Sequence, residues 1–249
     1  MKRVKLVVAY DGTNYCGWQV QKNGETIESV LNRAIGELTE EEIHVMGSSR
    51  TDAGVHACGN VAVFDTEARM AADKFSYALN QRLPEDIRIQ DSCEVPADFH
   101  PRFQKTVKTY EYRILNREFP LPAYRFNSHF TYRKLDVERM RQAAAYLIGE
   151  HDFQSFCAAG AQVKTTVRTI YALDVEKQGD LIILRITGNG FLYNMVRIIA
   201  GTLMKIGQGD WEPERMSEIL AGCDRQLAGP TAPARGLTLM EIHFKGEKG

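Results

Sequence analysis

Apolar residues recur along the first half of the chain with periods that predict strands and helices. Residues 5–10 form a short apolar run typical of a buried strand, and residues 59–66 alternate like a half-buried strand. In residues 26–38 the apolar positions recur at spacings of three and four, which predicts a helix capped at its N-terminus by Thr26. The other predicted elements of this half are a helix over 73–82, capped by Asp73, and a strand over 87–95.

The second half repeats this order of elements in outline, although it shows no clear sequence repeat. Residues 105–115 predict a strand with Tyr110 and Tyr112 on one face, since side chains two residues apart point the same way. Residues 191–206 predict the longest apolar helix, which is deeply buried; Arg197 interrupts it, and a charge there needs a partner. The other predicted elements are a helix over 136–149 capped by Asp136, a hairpin of 166–176 and 181–187, a helix over 212–221 and a strand over 237–244.

Residues 47–57 form a loop of small, polar and glycine residues between two strand-like runs. Asp52 stands in its middle, with Arg50 two residues before it and His56 four residues after it. The nearby positive charge and hydrogen-bond donors favour the ionised form of the carboxyl group. Asp52 is therefore a candidate covalent nucleophile or general base, although composition alone favours a turn-capping role for such an aspartate.

Length and charge narrow the class of protein. The 249 residues suit one large domain or two packed smaller ones with a sizeable core. The net charge of -1 does not indicate a nucleic-acid partner, but residues 99–134 hold eight Lys and Arg against two Glu. A basic face is therefore expected locally, in this segment.

Cysteine spacing and apolar runs bear on metal binding and on the compartment. The five cysteines are odd in number and widely spaced, with no Cys-x-x-Cys pair, so neither a metal site nor a disulfide framework is expected. Cys58 is expected to be a small buried filler. The N-terminus has no long apolar leader and the chain has no run of membrane-spanning length, so we expect a cytoplasmic protein.

Three strings of the sequence resemble the tRNA pseudouridine synthase A family. The strongest is Arg-Thr-Asp-Ala-Gly-Val-His-Ala at 50–57, since eight contiguous residues of mixed chemistry rarely match by chance. Tyr-Asp-Gly at 10–12, followed by Tyr-x-Gly-Trp-Gln at 15–19, is an independent second match, and Phe-His-Pro-Arg-Phe at 99–103 is a third. The resemblance covers nearly the whole chain.

This resemblance implies an α/β (α+β) fold of two similar halves. The halves share a mixed, mainly antiparallel sheet flanked by helices, with a central active-site cleft. Two prolines and the change to basic composition place the boundary between the halves just before the strand with the tyrosines. The expected division is 1–104, carrying the Asp52 loop, and 105–249, carrying Tyr110 and Arg197.

The same resemblance assigns roles to particular residues. Asp52 is the expected nucleophile, and Arg197 is a candidate for the positive charge that keeps it ionised. Arg50 is expected to fill the space left by the flipped base, although it is the other candidate partner of Asp52. Tyr110 matches the family's active-site tyrosine. The residues expected to contact tRNA are Phe99, His100, Arg102 and Phe103.

The implied activity is that of an isomerase, which converts uridine to pseudouridine at positions 38, 39 and 40 of the tRNA anticodon stem-loop. The reaction involves no redox change and spends no phosphate, so no cofactor is expected, and no nucleotide-binding glycine motif is present. Asp52 could attack C1′ or C6 or permit elimination, and the residues do not decide among these. The family works as a homodimer.

Two other classes of function fit part of the sequence. A non-catalytic RNA-binding module could stack bases on the paired tyrosines of a basic strand, but this leaves Arg197 and the loop carboxylate unexplained. An acid–base hydrolase could use Asp52 and His56, but it would need a second acid or an oriented histidine. Formation of pseudouridine in unmodified tRNA without strand cleavage separates the three.

Overall fold

The structure is a computed structural model that describes residues 1–160 and 163–244. The described residues form ten strands and five α-helices. The strands are β1 (Lys2–Tyr10), β2 (Met46–Gly47), β3 (His56–Thr66), β4 (Ile87–Val95), β5 (Thr106–Asn116), β6 (His129–Thr131), β7 (Gly149–Asp152), β8 (Val167–Gln178), β9 (Leu181–Gly188) and β10 (Leu237–Phe244). The helices are α1 (Ile27–Thr39), α2 (Phe75–Asn80), α3 (Val137–Ala145), α4 (Met195–Gly207) and α5 (Arg215–Gly222).

The chain divides into two units. Among the described residues, the first contains Met1–Lys105 and Leu239–Phe244, and the second lies within Thr106–Thr238. The halves expected from sequence, 1–104 and 105–249, thus differ from these units mainly in the last strand, which returns to the first unit.

The first unit is built on strands in the order β4-β1-β3-β10, with β2 paired to β3. The β1–β3, β1–β4 and β2–β3 pairs are antiparallel. Inward-facing residues of β1 alternate with half-exposed ones, and Val4, Leu6, Val8 and Tyr10 are buried. The β1–β3 register shifts between Val8 and Tyr10, which is a bulge at the strand end nearest the Asp52 loop.

Helix α1 begins where its capping chemistry predicts. The Thr26 hydroxyl accepts a hydrogen bond from the Ser29 amide at 3.2 Å, and the Ser29 hydroxyl accepts one from the Thr26 amide at 3.0 Å. The predicted cap of α2 by Asp73 is wrong. A 3-10 turn precedes α2, and the Asp73 carboxylate lies 2.9 Å from the Lys74 ammonium instead of bonding a helix amide. Phe75 then packs edge-on against Phe64 of β3 at 5.2 Å.

The second unit has strands in the order β5-β9-β8-β7, all antiparallel, while β6 runs parallel to β5. Asp136 caps α3 as predicted, accepting from the amides of Glu138 and Arg139. Helix α4 starts at Met195, later than the apolar run predicts, because Asn194 takes a left-handed conformation with φ 60°. Its buried residues confirm the prediction of a deeply buried helix.

The expected class, α/β with a mixed, mainly antiparallel sheet and flanking helices, is confirmed. The β5–β6 pair is parallel, while β1–β3, β1–β4, β2–β3, β5–β9, β7–β8 and β8–β9 are antiparallel. The predicted cleft stays a prediction. Within the described residues, no helix is long and apolar enough to cross a membrane.

Candidate active site

The Asp52 loop begins as a continuation of the β2–β3 pair. Gly47 lies opposite Ala62, and the next amide, that of Ser48, donates to the Val61 carbonyl at 2.7 Å. Beyond this point the side chain of Asn60 takes the place of the strand backbone. It donates to the Ser49 carbonyl at 3.0 Å and accepts from the Ser49 amide at 3.3 Å.

Thr51, the neighbour of Asp52, is held at its side chain and at its backbone. Its hydroxyl lies 2.8 Å from the Tyr10 hydroxyl, and its carbonyl accepts from the Trp18 amide at 3.0 Å. The Val55 amide donates to the Asp52 carbonyl at 3.1 Å and closes the turn that follows. The half-buried Asp52 side chain is therefore carried on a backbone that is fixed on both sides.

Two glycines allow the segment around Trp18 to pack against this loop. Gly17 has φ +87°, and a Cβ there would lie 2.6 Å from the Thr51 carbonyl. A Cβ on Gly47 would lie 2.5 Å from Cζ2 of Trp18 and closer still to its Cε2 and Nε1. Trp18 is fully buried, so its indole is part of the core.

His56, at the exit of the loop, faces the Asp11–Gly12 segment. Its Nδ1 accepts from the Gly12 amide at 3.1 Å and lies 3.0 Å from an Asp11 carboxylate oxygen. Burial alone would raise the pKa of Asp11, but hydrogen bonds from Thr13 and the nearby His56 outweigh it and lower that pKa. His56 thus joins the loop to another segment of the first unit.

The segment around Arg102 is hydrogen-bonded to the start of the loop. The Arg102 Nε donates to the Gly47 carbonyl at 2.8 Å, and the Ser48 hydroxyl donates to the Pro101 carbonyl at 2.9 Å. Desolvation and the nearby Arg50 guanidinium lower the pKa of Arg102. The structure therefore brings two predicted substrate-binding arginines, Arg50 and Arg102, close enough for their charges to interact.

The aromatic residues of the same segment divide into two pairs. Phe99 packs edge-on against Phe244 at 5.2 Å, while His100 stacks on Phe103 at 4.1 Å. Phe103 is 83% exposed, so this stacked pair lies at the surface. Stacked, exposed aromatic side chains are the type of platform on which unpaired bases bind.

The sequence did not reveal the ion pair that anchors Phe99. Arg3 on β1 binds Asp65 of β3 through two hydrogen bonds of 2.8 and 2.7 Å and donates a third, of 2.9 Å, to the Phe99 carbonyl. Arg3 and Asp65 lie opposite each other in the β1–β3 register, and opposite charges at paired positions indicate an ion pair. The register itself could not be read from the sequence.

In the second unit, Tyr110 is buried on β5 and contacts Phe191 edge-on at 5.2 Å. Tyr112, two residues on, is also buried and donates its hydroxyl to the Pro233 carbonyl at 2.9 Å. Burial raises the pKa of Tyr112 above the ordinary tyrosine value.

Arg197 lies half-buried on α4 and has partners within the second unit. Its Nε donates to the Ala232 carbonyl at 2.7 Å and its Nη1 to the Asn194 side-chain oxygen at 2.7 Å. The Ala232 amide donates in turn to the Arg197 carbonyl at 3.1 Å. The expectation that this charge needs a partner is confirmed, while its expected pairing with Asp52 stays a prediction.

Sequence reasoning missed two polar residues that support the loop, Tyr10 and Asn60. Asn60 is a fully buried amide in an otherwise apolar strand, and such a residue is a signal in itself because its groups need partners. The prediction for Cys58 was wrong: it is exposed, because it lies in the part of β3 where the β1 register shifts.

Comparison with known proteins gives the family. The family model described as tRNA pseudouridine synthase matches residues 6–104 and 143–245. The tRNA pseudouridine synthase A of Brevibacillus brevis is 50% identical over 245 residues, covering 98% of this chain and 100% of the relative. That of Acetivibrio thermocellus is 47% identical over 244 residues, with the same coverage.

A solved structure, the archaeal box H/ACA sRNP Nop10-Cbf5 complex, is similar with 10% identity and a TM-score of 0.35, covering 95% of this chain and 46% of that chain. Tyr110 lies outside the ranges that the family model matches, whereas Asp52, the whole loop around it and Arg197 lie within them. The match covers most of the sequence and the relatives are aligned over nearly their full length. The chain therefore belongs to the tRNA pseudouridine synthase family, and it is an isomerase that acts on uridine in tRNA.

Proposed function

We propose that this isomerase modifies uridines 38, 39 and 40 of the tRNA anticodon stem-loop and that Asp52 is its nucleophile. The observation that supports Asp52 best is its setting. A half-buried carboxylate stands on a loop whose backbone is fixed at Ser49, Thr51 and Val55. Fixed geometry of this kind is what a reacting group needs.

The reaction is an isomerisation in which the atoms balance without a co-substrate. The C1′–N1 bond breaks, the uracil turns, and C5 forms the new bond to C1′. The hydrogen on C5 leaves as a proton, and N1 gains one. Asp52 either attacks C1′ or C6 as a nucleophile or assists elimination as a base, and each route uses its ionised form.

Arg50 is suited to hold the place of the flipped uridine. It is exposed, while the residues on either side of it are buried and hydrogen-bonded, so its side chain extends from a rigid base. An enzyme that acts on a base must first take that base out of its stack. Arg50 would then occupy the space that the base leaves.

Tyr110 and Arg197 take their proposed roles from the family resemblance. Tyr110 would offer an aromatic face to the displaced ring, and Arg197 the positive charge that keeps Asp52 ionised. The basic segment 99–134, in which exposed Phe103 stacks on half-buried His100, is the proposed tRNA contact surface. We also propose that the protein acts as a homodimer in the cytoplasm.

The test is a pseudouridine map by mass spectrometry of unmodified tRNA treated with the wild type, Asp52→Asn or Asp91→Asn. Asp91 is an exposed aspartate of β4 and serves as the matched control. Wild type and Asp91→Asn should place pseudouridine at 38, 39 or 40. Asp52→Asn should bind tRNA and form none, because it keeps the size but loses the charge. Turnover by Asp52→Asn would exclude Asp52 as the nucleophile. Pseudouridine at positions other than 38, 39 and 40 would exclude the proposed target positions.

A further inference from the structure

We propose that the Tyr10 hydroxyl is a positioning group for the reaction: held by Asn60, it fixes Thr51 and thereby the adjacent Asp52. The inference rests on the proposed role of Asp52. It concerns residues of the first unit alone, and Tyr10 acts through Thr51.

The pairing of β1 with β3 places these side chains on one face of the sheet. Val8 pairs with Asn60, so both point to the same side, and Tyr10 lies two residues beyond Val8 on that same face of β1. Tyr10 and Asn60 therefore both face the core, where they are 5% and 0% exposed.

Asn60 determines the direction of the hydrogen bonds. Its amide oxygen accepts from the Ser49 amide, so its NH₂ group donates to the Ser49 carbonyl at 3.0 Å and to the Tyr10 hydroxyl at 3.3 Å. Tyr10 therefore accepts from Asn60, and its hydroxyl lies 2.8 Å from Thr51 Oγ1, where either hydroxyl can donate. Asn60, Tyr10 and Thr51 thus form a connected, buried network.

This network holds the loop on both sides of Arg50. Ser49 is bonded through its backbone and Thr51 through its side chain, and both are buried. Asp52 follows Thr51 directly, so rotation or displacement at Thr51 moves the carboxylate. A displacement of about 1 Å at a reacting group can lower a rate by about 100-fold.

The experiment compares single-turnover pseudouridine formation at saturating enzyme in Tyr10→Phe, Thr51→Val, Thr51→Ser and the control Tyr15→Phe. Tyr15→Phe is the control because it removes the hydroxyl of another buried tyrosine. Tyr15 is 7% exposed and donates its hydroxyl to Asp86 at 2.6 Å, not to Thr51. We expect Tyr10→Phe and Thr51→Val to react about 10- to 100-fold more slowly, with tRNA affinity at the wild-type level.

Two comparisons separate positioning from a general loss of structure. Thr51→Ser keeps the hydroxyl and should recover most of the rate that Thr51→Val loses. The double variant Tyr10→Phe/Thr51→Val should be no slower than the slower single variant, because both changes remove the same hydrogen bond. Urea unfolding measures the stability of Tyr10→Phe and Tyr15→Phe in parallel with their reaction rates. Only Tyr10→Phe should react more slowly than the wild type.

Several results would overturn the proposal. These are a wild-type rate in Tyr10→Phe, equal losses in Tyr10→Phe and Tyr15→Phe, and equal rates in Thr51→Val and Thr51→Ser. Asp52→Asn, measured in the same series, identifies which idea has failed. If Asp52→Asn turns over, the nucleophile assignment fails. If it is inactive and Tyr10→Phe reacts like the wild type, only the positioning role fails.

Discussion

Gly47→Ala should destabilise the protein, because the new methyl group has no space. A Cβ at this position would lie 2.5 Å from Cζ2 of the Trp18 indole and closer still to two other ring atoms. Trp18 cannot move outward, since it is fully buried and packs against the Tyr10 ring at a centroid distance of 6.0 Å. Relief of the overlap therefore requires a shift of the indole or of the β2 backbone.

The magnitude follows from the size of the overlap. Forcing one extra methyl group into a well-packed core typically costs about 1–3 kcal/mol. For a chain of this length each kcal/mol lowers the melting temperature by about 2–4 °C, so the expected decrease is about 2–12 °C. Activity should decrease as well. The Trp18 amide bonds the Thr51 carbonyl, and the Gly47 carbonyl accepts from Arg102.

Thermal unfolding followed by circular dichroism measures the effect, and Gly190→Ala is the matched control. A Cβ on Gly190 would meet nothing closer than Arg168 Nε at 3.8 Å, and φ there is not in the left-handed range. This control should be neutral or stabilised by about 0.4–1 kcal/mol, because alanine restricts the unfolded chain. A melting temperature of Gly47→Ala equal to or above that of Gly190→Ala would refute the packing argument.

Other substitutions test the charges. Arg197→Met should abolish activity and lower the free energy of unfolding by about 1–3 kcal/mol, because it removes two hydrogen bonds from a charged group. Arg50 is exposed, so Arg50→Ala should lose activity with an almost unchanged melting temperature. The opposite pattern would mean that the two roles are reversed. A plot of log K for tRNA binding against log salt concentration should fall with a slope of about -0.7 to -0.9 per phosphate contact. Lys105 is exposed, and Lys105→Glu should make that slope shallower. A salt-independent affinity would rule out the basic segment 99–134 as the docking surface. The hydrogen bond from Arg3 lowers the pKa of Asp65, so the pair stabilises the fold at neutral pH and this contribution is lost as the pH falls below about 4. Asp65→Asn should remove about 1 kcal/mol or less at pH 7, since Asp65 is a third exposed, and should flatten the acid side of the stability curve measured by urea unfolding; an unchanged curve contradicts the pair.

The local elements and the chemistry of the loop could be predicted from the order of residues alone. The periodicity of apolar residues predicted β4 and the β8–β9 hairpin, and capping residues such as Thr26 and Asp136 marked helix starts. These features depend on neighbours within a few residues, so their signal is contained in a short window. The family, which the comparisons confirm, was recognisable because its strings are contiguous.

Local pattern was not enough to assign the role of every residue. Asp73 reads as a cap, yet its carboxylate lies beside Lys74 and a 3-10 turn precedes the helix. Cys58 reads as a buried filler beside a motif, yet the register shift of its strand leaves it exposed. In both cases the residue type was compatible with either outcome.

The distant residues that support the candidate site could be identified from the folded structure but not from local pattern. Asn60 and Tyr10 meet because the register of β1 against β3 places Asn60 opposite Val8, two residues from Tyr10 on the same face. Arg197 meets Ala232 from 35 residues away along the chain. An alternating pattern says which face of a strand is buried, but it is the same for every register that differs by two residues. Register and long-range packing are properties of the whole fold, and they place the hydrogen-bond partners that hold the Asp52 loop.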